Sequence, residues 1–149
     1  VKNAGAMADI RVVPDTNVYV SGLLWNNLSH RLLRLAEAGE LIFITTPSIM
    51  EELRDVLGRP KFRLRIATLG TSVAELMESL LSIVEVIQDL PIDPIVARDP
   101  DDDKILACAT AVQAEWIVSG DDHLLALKRY KGIAIVTPRQ FLRTWNKRE

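Results

Sequence analysis

Asp15, Glu52, Asp102, Asp103 and Asp121 are the residues of this sequence best suited to hold a cation. Asp15 ends the stretch Ile10-Arg-Val-Val-Pro14, a short apolar run that reads as a buried strand. Asp121 follows the same logic, after Trp116-Ile-Val-Ser119 and Gly120. In an open α/β sheet, ligands bind in the crevice beyond the carboxyl ends of the strands. A carboxylate half-buried there needs a partner, and a cation is the usual one. The competing reading is that Asp15 or Asn17 caps the following helix.

Glu52 lies in a stretch opened by Thr46-Pro47, a cap followed by a first-turn proline. Ile49, Leu53 and Val56 share one face of that helix. At about 100° per residue, Glu52 falls on the edge of this face and Glu51 nearly opposite. Four of the five residues from Asp99 to Asp103 are acidic, and they open a helix rich in small residues. The helix dipole accounts for one or two acids at an N-terminus, and poorly for four. On a helical wheel Asp102 shares a face with Ile105, Ala109 and Val112, whereas Asp103 lies beside Ala107 and Thr110. The wheel leans to Asp102, with Asp103 kept as the alternative.

Carboxylates converging within a few ångström repel one another, and one takes up a proton unless a cation is bound. Oxygen ligands suit Mg²⁺ or Mn²⁺. A metal-activated water then serves as nucleophile, and two ions about 3.5–4 Å apart would stabilise attacking and leaving oxygens at phosphorus. Asp15, Asp102 (or Asp103) and Asp121 are the expected ligands. Glu52 is expected to bind a second ion or orient water. Thr16, Asn17 and Ser119 stand beside the ligands as supports. Other chemistries fit poorly. His30 and His123 form no obvious pair for metal-free RNA cleavage, and no phosphate-cradling glycine loop or zinc pattern occurs. An aspartyl phosphatase would show a second aspartate where Asn17 stands.

The Ile10–Asn17 opening, Glu52, the segment Asp99-Pro-Asp-Asp-Asp-Lys-Ile-Leu-Ala-Cys-Ala109 and the segment Ile117-Val-Ser-Gly-Asp-Asp-His-Leu-Leu125 together resemble the PIN-domain family of metal-dependent ribonucleases. The match looks closest to its branch of toxins from toxin–antitoxin pairs, and spans Ile10 to about Trp145. The family often has Asp-Pro-x-Asp followed by Asn or Asp, which selects Asp102; relatives with a single aspartate would select Asp103. The resemblance implies a Mg²⁺-dependent endoribonuclease, a cognate antitoxin, a homo-oligomer and a cytoplasmic location. It also implies strand order 3-2-1-4-5, which would set the tips bearing Asp15 and Asp121 side by side. Two other readings stand beside it. One is a PIN-like module that binds RNA or protein without cleaving, which the intact acids oppose. The other is a metal-dependent phosphohydrolase of small molecules, which lacks a phosphate-binding lysine near the strand tips.

The elements that must position these residues alternate. Helices are expected over Val18–Trp25, from a Ser29 cap to Ala38, after Thr46, after Thr71 or Ser72, from the acidic run, after Asp121, and from Thr137 to Trp145. Asp122 is the expected cap of the helix after Asp121. Strands are expected at Leu41–Thr45, Ile83–Ile87, Trp116–Ser119 and Ile133–Val136 besides the first. Gln88–Arg98, with two prolines, reads as loop. Alternating strands and helices imply a three-layer α/β/α sandwich around a parallel sheet.

The chain has 149 residues and a hydrophobic share of 48%, enough for one domain with its own core. Residues 1–9 read as a tag or disordered start and 10–146 as the domain. No apolar run is long enough for a membrane span. The single Cys108 forms no internal disulfide, fits a reducing compartment, and reads as a small buried hydrophobe. A net charge of −2 is unlike most nucleic-acid binders, but the charge is unevenly placed. Arg54, Arg59, Lys61, Arg63 and Arg65 crowd one segment and are the expected RNA contacts. That segment reads as a turn and short helix or as a mobile flap. Lys128, Arg129 and Lys131, and Arg139, Arg143, Lys147 and Arg148, form two further clusters.

Overall fold

The computed structural model describes residues 10–89 and 100–147. The expected start at residues 1–9, Arg148, and the loop beyond Asp89 lie outside them. Among the described residues six strands form one sheet: β1 (Arg11–Pro14), β2 (Ile42–Thr45), β3 (Glu85–Val86), β4 (Trp116–Val118), β5 (Arg129–Tyr130) and β6 (Ile133–Val136). Their order is β3-β2-β1-β4-β6-β5. The first five in that order pair in parallel, which matches the implied order 3-2-1-4-5. The exception to an all-parallel sheet is β5, a two-residue strand that turns back antiparallel on β6. Helices complete a three-layer α/β/α sandwich.

The central strands are buried on both faces, as parallel strands between helices must be. Val12, Val13, Phe43, Ile117 and Val118 have essentially no exposed surface. The Tyr19 ring meets Phe43 edge-on at 5.9 Å, and Phe141 packs between Trp116 and Trp145.

The helices are α1 (Thr16–Leu24), α2 (Leu28–Glu37), α3 (Pro47–Leu57), α4 (Arg63–Thr68), α5 (Val73–Leu81), α6 (Pro100–Ala111), α7 (Asp122–Leu127) and α8 (Pro138–Asn146). Their starts follow local chemistry. Thr46, Ser72 and Thr137 accept from the backbone three residues on, and Thr137 with Gln140 forms a reciprocal capping box. The α2 cap is Asn27, not Ser29: its side chain accepts from the His30 amide, leaving Ser29 inside the helix and buried. Gly22 explains how closely α1 and α2 approach. A Cβ there would lie 2.9 Å from the Ser29 carbonyl oxygen and 2.8 Å from Leu33 Cδ1.

The expected strand Ile83–Ile87 shrinks to Glu85–Val86. The amides of Ile83 and Val84 are engaged by the Leu80 carbonyl at the end of α5, so they are lost to the sheet. The basic segment folds as a turn and short helix, Pro60–Phe62 followed by α4. Cys108 is buried as expected, and burial pushes its thiol up to about 12.

Candidate metal centre

Adjacent strands deliver the first two carboxylates. Pro14 at the end of β1 pairs with Val118 at the end of β4. The Asp15 amide donates to the Val118 carbonyl at 3.0 Å, locking the two tips together. Both readings of Asp15 hold at once. Its Oδ1 caps α1 by accepting from the Val18 amide at 3.0 Å, while Oδ2 accepts from the Ser119 hydroxyl. The same Ser119 oxygen accepts from the Asp121 amide at 2.9 Å. One fully buried serine thus fixes the spacing of Asp15 and Asp121. Asp121, not Asp122, caps α7, accepting from the His123 amide at 2.7 Å.

Asp15, Thr16, Asn17, Glu52, Asp101, Asp102 and Asp121 line one cleft, together with Val56, Arg59 and Ile105. Glu52 comes from α3, and the other two aspartates from the first turn of α6, which packs against α3 and β1. Ligand atoms of Asp102, Asp121 and His123 lie within 4.8 Å of one another. Asp103 is buried too but is not among the cleft-lining residues.

Burial raises the Asp15 carboxyl above its ordinary 3.8; Ser119 and Val18 pull it back, and the charge of Asp121 pushes it up further. Glu52 is raised as well, first by burial and then by a hydrogen bond with Asp101, against a lowering contact from Thr16. Lys104 reaches into this group. Its Nζ lies 3.1 Å from Asp101 Oδ1 and 3.8 Å from Glu52 Oε1. Burial alone would lower the Lys104 ammonium, but Asp101, Glu52 and Asp89 raise it. Asp89, just past β3, accepts from the Ser48 hydroxyl and amide at the start of α3.

Three cleft or rim residues went unassigned in the sequence, Asp101, Lys104 and His123, whereas Arg59, expected as an RNA contact, lines the cleft. His123 carries a readable signal, two residues beyond Asp121. The pairing of Lys104 with Glu52 does not, because it exists only once α3 and α6 are packed. Of the basic segment, Arg54, Arg59, Lys61 and Arg63 are exposed. Arg65 is committed within the fold: its Nε donates to the Leu24 carbonyl at 2.7 Å and its guanidinium lies over the Trp25 ring.

A family model described as PIN domain matches residues 11–123. No curated protein matches the chain. Among solved structures, it resembles a chain of VapBC2 from Rickettsia felis bound to a DNA fragment from its promoter. That likeness has a TM-score of 0.57 and 15% identity, over 85% of this chain and 97% of the other. It also resembles PAE2754 from Pyrobaculum aerophilum, at TM-score 0.55 and 22% identity, over 95% of this chain and 92% of that one. At such identities these likenesses speak for the fold alone.

Proposed function

The chain belongs to the PIN-domain family, and from that premise we propose that it is a divalent-metal-dependent endoribonuclease of single-stranded RNA. The observation that carries this reading is the convergence of Asp15, Asp102 and Asp121, from three separate elements, on one cleft that Glu52 also lines. The donor set fits a hard divalent ion. Carboxylate oxygens suit Mg²⁺ or Mn²⁺, and an imidazole at the rim is better tolerated by Mn²⁺. A cation would also lower the cost of the buried Asp15 charge.

Asp15, Asp102 and Asp121 would hold the ion. When bound, it supplies acidity to a water and positive charge beside the phosphate. Ser119 keeps Asp15 and Asp121 at a fixed separation through one hydroxyl. Thr16 holds Glu52, whose raised pKa makes it the better proton acceptor. Glu52 orients the attacking water and takes its proton. In-line attack at phosphorus would then break the bond to the 3′ oxygen of the preceding ribose, which takes a proton from solvent to leave as a hydroxyl.

The test is incubation of the purified protein with single-stranded RNA in Mn²⁺ or Mg²⁺, with a chelator control. Products ending in 5′-phosphate and 3′-hydroxyl are expected. Ends bearing a 2′,3′-cyclic phosphate would point to attack by the ribose itself and contradict the mechanism.

The acidic cleft repels a phosphate backbone, so RNA needs a basic approach. Arg59 lines the cleft, and Lys61 and Arg63 follow it on the exposed turn. Replacing Arg59, Lys61 and Arg63 together by Gln should flatten the salt dependence of RNA binding. At roughly 0.7 units of log–log slope per contact on single strands, the expected loss is about two units. The melting temperature should stay unchanged. A wild-type slope in the triple variant would move the RNA path to another basic cluster.

The same reading makes the protein the toxin component of a pair, active in the cytoplasm as a homo-oligomer and held in check by a protein antitoxin. Its support is the family match; a chain of a VapBC structure shares the fold. Growth arrest on induction, relieved by co-expressing the neighbouring gene, is the expected result.

A further inference from the structure

The cleft carboxylates fall into two groups. Asp15 and Asp121 are tied together at the strand tips by Ser119, with Asp102 beside Asp121. Glu52, from α3, and Asp101, from α6, form the other group, close enough to interact across the cleft. Lys104 pairs with both members of the second group, at 3.1 Å and 3.8 Å. We infer that Lys104 is a built-in cation that occupies the Glu52–Asp101 side and limits the cleft to one divalent ion, on the Asp15–Asp102–Asp121 side. This inference rests on the metal-dependent reading above and settles how many ions that reading requires.

Three observations support it. First, the ammonium is tethered by geometry. Lys104 sits one helical turn after Asp101 on α6, so its stem needs no unusual conformation to reach Asp101. Only about a quarter of its side chain is exposed, and Asp89 adds negative charge on the same side. Three carboxylates, from α3, α6 and the segment after β3, therefore favour one ammonium in one place.

Second, a divalent ion on Glu52 would have to displace that ammonium or sit against it. Mg²⁺ needs oxygen ligands at about 2.0–2.1 Å with near-octahedral geometry, and it keeps its waters tenaciously. An ammonium already donating to Asp101 and paired with Glu52 takes those oxygens. Like charges at such range inside a partly buried cleft repel strongly. Third, the other group carries the cost that a cation would relieve. Asp15 is almost wholly buried, and Val18 and Ser119, which donate hydrogen bonds to its carboxylate, are neutral. Lys104 is thus a positioning residue: it holds Glu52 as a water-orienting base and keeps it from becoming a ligand.

The experiment is calorimetric titration of chelator-stripped full chain with Mn²⁺. Wild type should bind one ion. Lys104→Met, which keeps the apolar stem and removes the charge, should bind two. Lys104→Arg, which restores the charge, should return to one. Two ions on wild type, or one ion on a folded Lys104→Met, would overturn the inference and leave the nuclease reading standing. No ion on wild type would overturn both. Should Lys104→Met fail to fold, Glu52→Gln decides: one ion should remain, with affinity within about threefold of wild type. Loss of the ion from Glu52→Gln would mean that Glu52 is a ligand.

Discussion

Asp15→Asn should lower RNA cleavage by at least about a hundredfold while making the metal-free protein more stable at neutral pH. The activity loss follows from ligand chemistry. An amide oxygen is a poorer ligand than a carboxylate, and the ion's contribution to the transition state is worth several kcal/mol, each 1.4 kcal/mol being tenfold. The stability gain follows from burial. Asn keeps the shape, still caps α1 toward Val18, and can still hydrogen-bond to Ser119. It removes a carboxylate whose folded pKa is raised above its ordinary 3.8.

The sign is set by linkage. A carboxyl whose pKa is raised by folding contributes stability that is complete below its unfolded value and lost as pH rises through its folded value. Metal-free wild type has therefore lost more of that contribution at neutral pH than at acid pH. The variant should melt higher than wild type in chelator near pH 7, and the gap should narrow toward about pH 4. A gap that is the same at both pH values, or reversed at neutral pH, would mean that Asp15 is not burdened by its charge.

The second large effect separates two neighbours. Asp102→Asn should cost at least about a hundredfold in cleavage by the same ligand argument. Asp103→Asn should stay within about threefold, its loss falling mainly on the first turn of α6, where an acid is worth about 0.3–1 kcal/mol. Asp102 lines the cleft and offers an oxygen near Asp121, whereas Asp103 is buried away from the cleft lining. Equal residual activity in the two variants would remove the distinction that the helical wheel drew.

The sequence made most of this site readable because its signals are local. A strand that ends in Pro14-Asp15 and another that ends in Ser119-Gly120-Asp121 announce two tips on one sheet edge, and β1 and β4 are neighbours. The face of α3 set Glu52 at its boundary, and that boundary is the cleft. Caps written as Thr-Pro were equally plain, at Thr46 and Thr137, while of the two candidates Thr71 and Ser72 the fold takes Ser72.

What could not be read depends on packing or on backbone alone. Strand β5 is two residues long and has no side-chain period to betray it. Ile83 and Val84 have the composition of a strand, yet their amides close α5. Asn27 and Ser29 are both good caps, and in the fold Asn27 takes the role while Ser29 is buried inside the helix. The choice between Asp121 and Asp122 turned on a hydrogen bond to an amide two residues on. Lys104 carries no local signal of its partner, because only the packing of α3 against α6 brings Glu52 to within 3.8 Å of it.

The claim beneath all of this is that carboxylates from the tips of β1 and β4 and from α6 form one divalent-cation site. Thermal melting of the stripped protein across a Mn²⁺ titration tests it most directly. Binding to the folded state alone raises stability by about 2.7 kcal/mol at a hundredfold excess over the dissociation constant, equivalent to several degrees for a domain of this size. Wild type should show that rise at millimolar Mn²⁺, and Asp15→Asn should lose it. A wild-type melting temperature that does not move with Mn²⁺ or Mg²⁺ would contradict the account.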